Sequence, residues 1–300
     1  ILSTNVIHVF DLDAEVEMTE LEVNPGDTWL IPTTVTNAGN GPDRYDLRLG
    51  RVYETQSQID VLWDIAIPRS ILTELTRGTS QTVDITINVP TQVPAGDYTV
   101  VIQAFSEEDY PDETGHRTRL RDEIMLQITV NEFYDMQISM DPSVDNAVKT
   151  SAPGRIVEFV VNVTNAGNVP DTPSLHNHTS SKDGSTGNLV WNTLPGMGAL
   201  GGPDGWKVEW KMVDFVGDVV VETECLRTSS TETEFPDDTC VFLEDINEWR
   251  LPEMDPYTTH TMVATIHIAT GAKLDTRNIG LKVTSLSLIH ISEPTRQLQI

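Results

Sequence analysis

Nine residues, Val35-Thr36-Asn37-Ala38-Gly39-Asn40-Gly41-Pro42-Asp43, return at Val163 to Asp171 with one change, Val169 in place of Gly41. The same offset of 128 residues aligns Pro25-Gly26 with Pro153-Gly154, and Trp29, Ile31, Thr33 and Val35 with Val157, Phe159, Val161 and Val163. A repeat of this length, with a turn signature at each end of an alternating run, means one domain type used twice. It constrains the fold more than any other feature of the chain, and it speaks against a single enzymatic core.

The repeat unit reads as strands. After the turn at Pro25-Gly26-Asp27, the residues Trp29, Ile31, Thr33, Val35 and Asn37 alternate with Thr28, Leu30, Pro32, Thr34 and Thr36, a period of two that puts one side into a core. Asn37, Gly39, Asn165 and Gly167 are expected to end the two matching strands as structural turns, with Gly39 free to take a positive φ and Asn side chains bonding nearby amides. Tyr45, Leu47 and Leu49 open a further strand, then Val61-Leu62-Trp63, with Trp63 a core filler. Val83 to Val89, Tyr98 to Ala104 and Ile124 to Val130 follow. The one stretch open to a helical turn is 69–77. Short strands bounded by turns in this number predict an all-β chain of tandem immunoglobulin-like antiparallel β-sandwiches.

The second copy is longer. Residues 172–205 read as loop-rich, Trp206, Val208 and Trp210 resume a strand, and 226–239 is a second long loop. The expected division is 1–12 as the last strand of a preceding repeat with its linker, 13–132 and 133–285 as the two sandwiches, and 286–300 as a foreign tail. Val6, His8 and Phe10 stand before Asp11 as Leu126, Ile128 and Val130 stand before Asn131. The run Leu286 to Arg296 reads like a translated sequencing adapter, against a genuine last strand on Leu286, Leu288 and Ile289; on the adapter reading the chain is expected to be an interior slice of a longer array.

Charge excludes some partners. Asp and Glu number 46 against 19 Lys and Arg; counting these types gives about −14 over 13–132 and about −12 over 133–285. Acidity spread so evenly repels nucleic acid and anionic lipid, and it suits a solvated exterior. No apolar run is long enough to span a bilayer, so no membrane contact is expected of this segment.

The two cysteines, Cys225 and Cys240, flank a stretch rich in Ser, Thr, Asp and Glu, with Val219-Val220-Val221 before it and Val241-Phe242-Leu243 after it. Two strands tied at the base of an acidic loop are expected, and with them an oxidising, extracellular setting. The alternative is a pair of free thiols; the spacing suits neither redox nor zinc chemistry.

Pro25, Gly26, Asn37, Gly39, Trp63, Pro94, Gly96 and Tyr98 occupy a Pro-Gly turn, an Asn-x-Gly-Asn strand end, a Trp and a Pro-x-Gly-x-Tyr element. On these motifs residues 13–132 resemble the NPCBM-associated (alpha-galactosidase type) Ig-like domains, relatives of the CARDB adhesion domains. The second copy matches at Pro153, Gly154, Asn165 and Gly167, and departs where Ala269-Thr270-Gly271-Ala272-Lys273 replaces the Pro-x-Gly-x-Tyr element. The resemblance implies a stalk or accessory module of a secreted or cell-surface prokaryotic protein and implies no catalysis.

No nucleophile elbow, phosphate loop, zincin helix or calcium loop is present. His176-Asn177-His178 could share a metal if in a strand, against two solvated histidines. Asp109, Asp112 and Glu113 lie in an acidic turn where carboxylates could converge on Ca2+, against a solvated loop; Asp43 and Asp171 raise the same question after the repeated turn. Asn162 and Asn177 head glycosylation sequons. The function expected is therefore non-catalytic: structural spacer modules whose partners are neighbouring repeats. The rivals are an adhesion module for a glycan or surface protein, with Trp191, Trp206 and Trp210 as platform candidates, and an accessory domain of a secreted hydrolase.

Overall fold

The computed structural model describes the chain apart from residues 1–2, 5, 112–116, 141–147, 183–188, 194–205, 217–218, 232–237, 273–278, 288–295 and 300. It divides into two compact units, Ile1–Glu132 and Phe133–Ile300. Every regular element among the described residues is a strand.

Unit 1 contains β1 (Leu12–Val16), β2 (Glu20–Val23), β3 (Thr28–Asn37), β4 (Tyr45–Glu54), β5 (Asp64–Ala66), β6 (Ser80–Asn88), β7 (Gly96–Pro111) and β8 (Arg117–Val130). They form two four-stranded sheets, β1-β3-β6-β5 and β2-β8-β7-β4. All pairings are antiparallel except β2 with β8. The inward residues of both sheets, among them Ile31, Val35, Leu47, Ile85, Val100, Ile102, Leu126 and Ile128, form one core. Each such aliphatic side chain contributes about 1.5–3 kcal/mol by leaving water. Trp63 closes the core beside Tyr98, with ring centroids 5.1 Å apart. The Tyr98 hydroxyl donates back to the carbonyl of Pro94 at 2.9 Å, a tyrosine corner of the kind that pins immunoglobulin-like sandwiches.

Two expectations for unit 1 need correction. Val61-Leu62-Trp63 is not a strand; pairing begins at Asp64, because Leu62 turns outward at 98% exposure while Trp63 turns in. Residues 69–77 hold no helical turn. They run extended beside β4, where Leu72 N bonds Tyr45 O and Leu75 exchanges both backbone bonds with Asp43. That pairing buries Leu72 and Leu75. Their spacing of three imitates a helical face, but one isolated turn has too few bonds to offset its nucleation cost.

Unit 2 contains β9 (Met136–Ser139), β10 (Ile156–Asn165), β11 (Pro173–Lys182), β12 (Leu189–Thr193), β13 (Lys207–Val216), β14 (Val219–Glu224), β15 (Leu226–Thr228), β16 (Val241–Leu243), β17 (Glu248–Arg250), β18 (Thr259–His267), β19 (Ile279–Ser285) and β20 (Arg296–Gln299). One sheet runs β14-β13-β18-β10-β9; the other runs β15-β16-β17-β11-β19-β20, with β12 on β11. The frame of unit 1 is preserved. The ten residues of β3 and of β10 alternate between inside and outside identically. Tyr45 opposite Ser106 in unit 1 becomes Pro173 opposite Ser285 in unit 2, so β11 and β19 are the counterparts of β4 and β7.

Three differences follow from sequence. Residues 172–205 are not a loop throughout, since they open with the ten-residue β11 and return as β12. The residues at the sequence position of β2, 148–151, form no strand. There Lys149 and Ser151 replace the buried Leu21 and Val23, leaving no apolar alternation to bury. On the far edge of β19, where unit 1 has fourteen-residue β8, the four residues of β20 pair with Gly280–Val283.

Candidate functional site

The repeated motif does more than end a strand. Asn37 is buried, and its side-chain amide donates to the carbonyls of Gly41 and Leu75, both at 2.8 Å, while its oxygen accepts the Gly39 amide at 2.9 Å. Asn165 repeats this with Val169 O at 2.8 Å, Met254 O at 3.0 Å and the Gly167 amide at 3.0 Å. Each asparagine ties the turn to a distant loop, giving the motif a fixed shape.

That shape presents backbone donors to the segment entering the unit. In unit 1, Ala38 N and Gly39 N both donate to Asp11 O, and Asn40 N donates to Val9 O at 3.0 Å. The Asn40 side chain completes the grip, accepting from Val9 N at 2.8 Å and donating to Ile7 O at 2.8 Å. Unit 2 reproduces it on residues 133–135. Ala166 N and Gly167 N donate to Asp135 O, Asn168 N donates to Phe133 O at 2.8 Å, and Phe133 N donates to the Asn168 side chain at 2.6 Å.

The glycine's role is corrected here. Neither Gly39 nor Gly167 has a positive φ, whereas the glycines of the repeated Pro-Gly turn do, Gly26 at 86° and Gly154 at 73°. What position 39 requires is the absence of a side chain, since a Cβ there would stand 2.6 Å from Val9 O, and at 167 a Cβ would stand 2.5 Å from Phe133 O. The linker passes directly over the glycine. Asn40 and Asn168 were the residues sequence reasoning passed over, although their identity in both copies was the available signal.

Beneath the clamp lies a small buried polar group. The Asp43 carboxylate accepts from Ser106 Oγ at 2.7 Å and from Arg44 N at 2.7 Å. The Tyr45 hydroxyl donates to Asp11 O at 3.2 Å. Burial, then the neighbouring carboxylates of Asp43 and Asp11, push the Tyr45 phenol well above its ordinary value. A phenol raised in the folded state contributes stability that is complete below pH 10, about where the unfolded chain ionises, and that is lost as pH climbs further. Unit 1 is therefore expected to weaken from about pH 10 upward, and Tyr45→Phe should flatten that dependence. Denaturant titrations at neutral and strongly alkaline pH check it. In unit 2 the tyrosine position is Pro173, and Asp171 Oδ2 is buried without a partner among the described residues.

Cys225 and Cys240 are joined in a disulfide. The strands it ties do not form a hairpin: β14 belongs to one sheet, the chain crosses at Cys225, and β15 then runs parallel to β16 in the other. Cys240 is fully buried beside Met212. Ser230 donates its amide and hydroxyl to Asp245, which holds that carboxyl below its ordinary value and fastens the described end of the loop. Replacing both cysteines by alanine is expected to cost unit 2 about 3 kcal/mol, the chain-entropy value for a loop of this size, and to leave unit 1 unchanged. Separate thermal transitions for the two units would show it.

The remaining candidates are dispersed. Asn177 is 2% exposed, and its side-chain oxygen accepts the indole N–H of Trp210 at 3.0 Å. It is a core residue, which corrects its reading as a glycosylation site, because a glycan needs that amide in solvent. Asn162 sits half-buried in β10 between β9 and β18, accepting from Thr261 Oγ1 at 3.1 Å. His176 Nε2 lies 3.2 Å from the hydroxyls of Ser174 and Thr284. Asp112 and Glu113 lie outside the described residues, as do the side chains of Asp109, His178 and Trp191. Among the described residues no group of three potential metal ligands occurs. Trp210 is wholly buried and Trp206 packs partly buried against the same core, so neither provides an open platform. Among the described residues no helix is long and apolar enough to cross a membrane.

No protein-family profile matches the chain, and no curated protein matches it. Among solved structures, the class 5 fimbriae chaperone CfaA aligns over 96% of this chain and 98% of its own, at 8% identity and a TM-score of 0.29. A family 123 glycoside hydrolase from Clostridium perfringens aligns over 40% of this chain and 27% of its own, at 11% identity and a TM-score of 0.30, so the chain spans about a quarter of that hydrolase. A human ASH/PapD-like domain aligns over 39% of this chain and 84% of its own, at 16% identity and a TM-score of 0.26. Similarities of this size carry no argument about activity. The all-β sandwich architecture stands on the strands and pairings above.

Proposed function

We propose that this chain is a non-catalytic structural segment: consecutive immunoglobulin-like modules that space or present another part of an extracellular or cell-surface protein. The observation that carries the reading is the clamp. Both units grip the chain entering them through the same backbone bonds, from a motif repeated almost unchanged. A spacer needs its joints held, whereas an enzyme or a loop-borne binding site has no use for an invariant grip on a linker. The disulfide, which belongs to an oxidising compartment, supports the location. The resemblance to NPCBM-associated and CARDB-like modules agrees with it.

The junction supplies the test. Asn131 is bonded to Val23 and Asn24 of unit 1, and Phe133 to Asn168 of unit 2. Phe133 and Tyr134 are cleavage sites for chymotrypsin by their aromatic side chains. The intact chain is expected to resist cutting there, and Asn168→Ala to release two fragments at a much higher rate, since cleavage follows the population of the opened linker. Rapid scission of the unmodified chain at this junction would overturn the spacer reading.

A further inference from the structure

The two units differ in one way that bears on what a spacer does under load. In unit 1 the chain enters through β1 and β2 and leaves through the end of β8. The strands β2 and β8 are adjacent and parallel, with Glu20 opposite Gln127, Leu21 opposite Ile128, Glu22 opposite Thr129 and Val23 opposite Val130. Their ladder is closed at both ends: Gln127 N donates to Thr19 O at 2.7 Å, and Asn131 N donates to Val23 O at 2.9 Å. Leu21 and Val23 are buried beneath it.

Tension on a chain pulls β2 backward along its own axis and β8 forward along its own. Because the two are parallel, their hydrogen bonds lie across the pull and must stretch together. Strands pulled apart from one end instead break one rung at a time, each at low force. The same argument applies to the grip of residues 38–40 on Val9 and Asp11, and to the five rungs of β1 on β3, all loaded along the strand before β2 is reached. Unit 2 keeps the grip and four rungs of β9 on β10. Its described residues 148–151, at the sequence position of β2, form no strand, and Lys149 and Ser151 are exposed there where Leu21 and Val23 are buried.

We propose that unit 1 is a tension-bearing module, with β2 and β8 as its shear clamp, and that unit 2 is the weaker element in series with it. This rests on reading the chain as a structural segment. Resistance to forced extension is set by the barrier to unfolding, so it can differ between units of equal equilibrium stability.

The test is single-molecule extension of the full chain in two tethers. One holds the chain by its two ends. The other holds it at Gln92→Cys, an exposed position ahead of β7, and at the C-terminal end, so that the pull peels β8 from β7 starting at Val130 opposite Gly96. Unit 2 is in series in both and serves as the internal reference. With the end tether, a release of about 400 Å from residues 12–130 is expected at a force well above that of unit 2. With the Gln92 tether the force for unit 1 should fall severalfold, while the thermal midpoint of the Gln92→Cys protein is unchanged. Equal forces for unit 1 in the two tethers, or a unit 1 that yields before unit 2 in the end tether, would overturn the proposal. Chymotrypsin scission at Phe133–Tyr134 would sink the spacer reading and leave this force comparison standing, so the two failures are distinguishable.

Discussion

Unit 2 is expected to lose about 3–5 kcal/mol when Trp210 is replaced by alanine, the cost of deleting a buried indole whose cavity the surrounding strands cannot close. Trp210 is 0% exposed and packs in the core with Phe159, Phe242 and Trp249. The loss has a second part. Asn177 accepts the indole N–H, and without it a buried amide oxygen is stranded, at about 1–3 kcal/mol. Together these approach the whole stability of an ordinary domain, about 5–15 kcal/mol. Trp210→Phe keeps most of the volume and isolates the hydrogen bond, so it should fall between the parent and Trp210→Ala. The companion variant Asn177→Leu removes both partners' mismatch when combined with Trp210→Phe. A denaturant midpoint for Trp210→Ala within error of the parent would mean that the indole is not the centre of this core.

The second large effect belongs to the repeated asparagines. Asn165→Ala is expected to cost unit 2 about 2–3 kcal/mol, and Asn37→Ala a similar amount from unit 1, because each removes buried bonds to two carbonyls and one amide. Each substitution should lower the thermal midpoint of its own unit by about 5–10 °C and leave the other alone. Asn165→Asp is the sharper comparison. It keeps the shape and the bond from Gly167, but a carboxylate cannot donate to Val169 or Met254, so it should be at least as damaging as alanine near neutral pH. Asn165→Asp behaving like the parent would show that the oxygen carries the turn and the amide donors do not.

The parts of the fold legible in the sequence are those where burial alone decides. In β3 and β10 the inward residues Ile31, Val35, Phe159, Val161 and Val163 fall on alternate positions, and the period of two shows directly. β11 is hidden because Asn177, on the same face as the core residue Leu175, is polar and is made tolerable there by a partner elsewhere in the chain, while Ser174 is buried on the opposite face. A pattern that reads hydrophobicity cannot anticipate a hydrogen bond to Trp210, 33 residues on. The stretch 69–77 failed for the opposite reason, since its apolar spacing was that of a helix and its backbone was claimed by β4. The parallel course of β15 and β16 was concealed too, because the spacing of two cysteines fixes a loop length and not a direction.

The candidate site was half legible. Repetition marked the Asn-Ala-Gly-Asn segment, but its partner atoms are the main-chain groups of Val9 and Asp11, or of Phe133 and Asp135. Main-chain groups are the same in every residue and leave no trace in a sequence. The glycine was noticed for the wrong property, conformational freedom, when its requirement is clearance beneath a passing carbonyl.

That indifference to side chains has an evolutionary consequence. A receptor that recognises only an extended main chain places almost no demand on the residues that cross it; Val9-Phe10-Asp11 and Phe133-Tyr134-Asp135 are held alike with only the last residue in common. Such a junction fixes the backbone course of the segment it holds and leaves the side chains that cross it nearly free to vary.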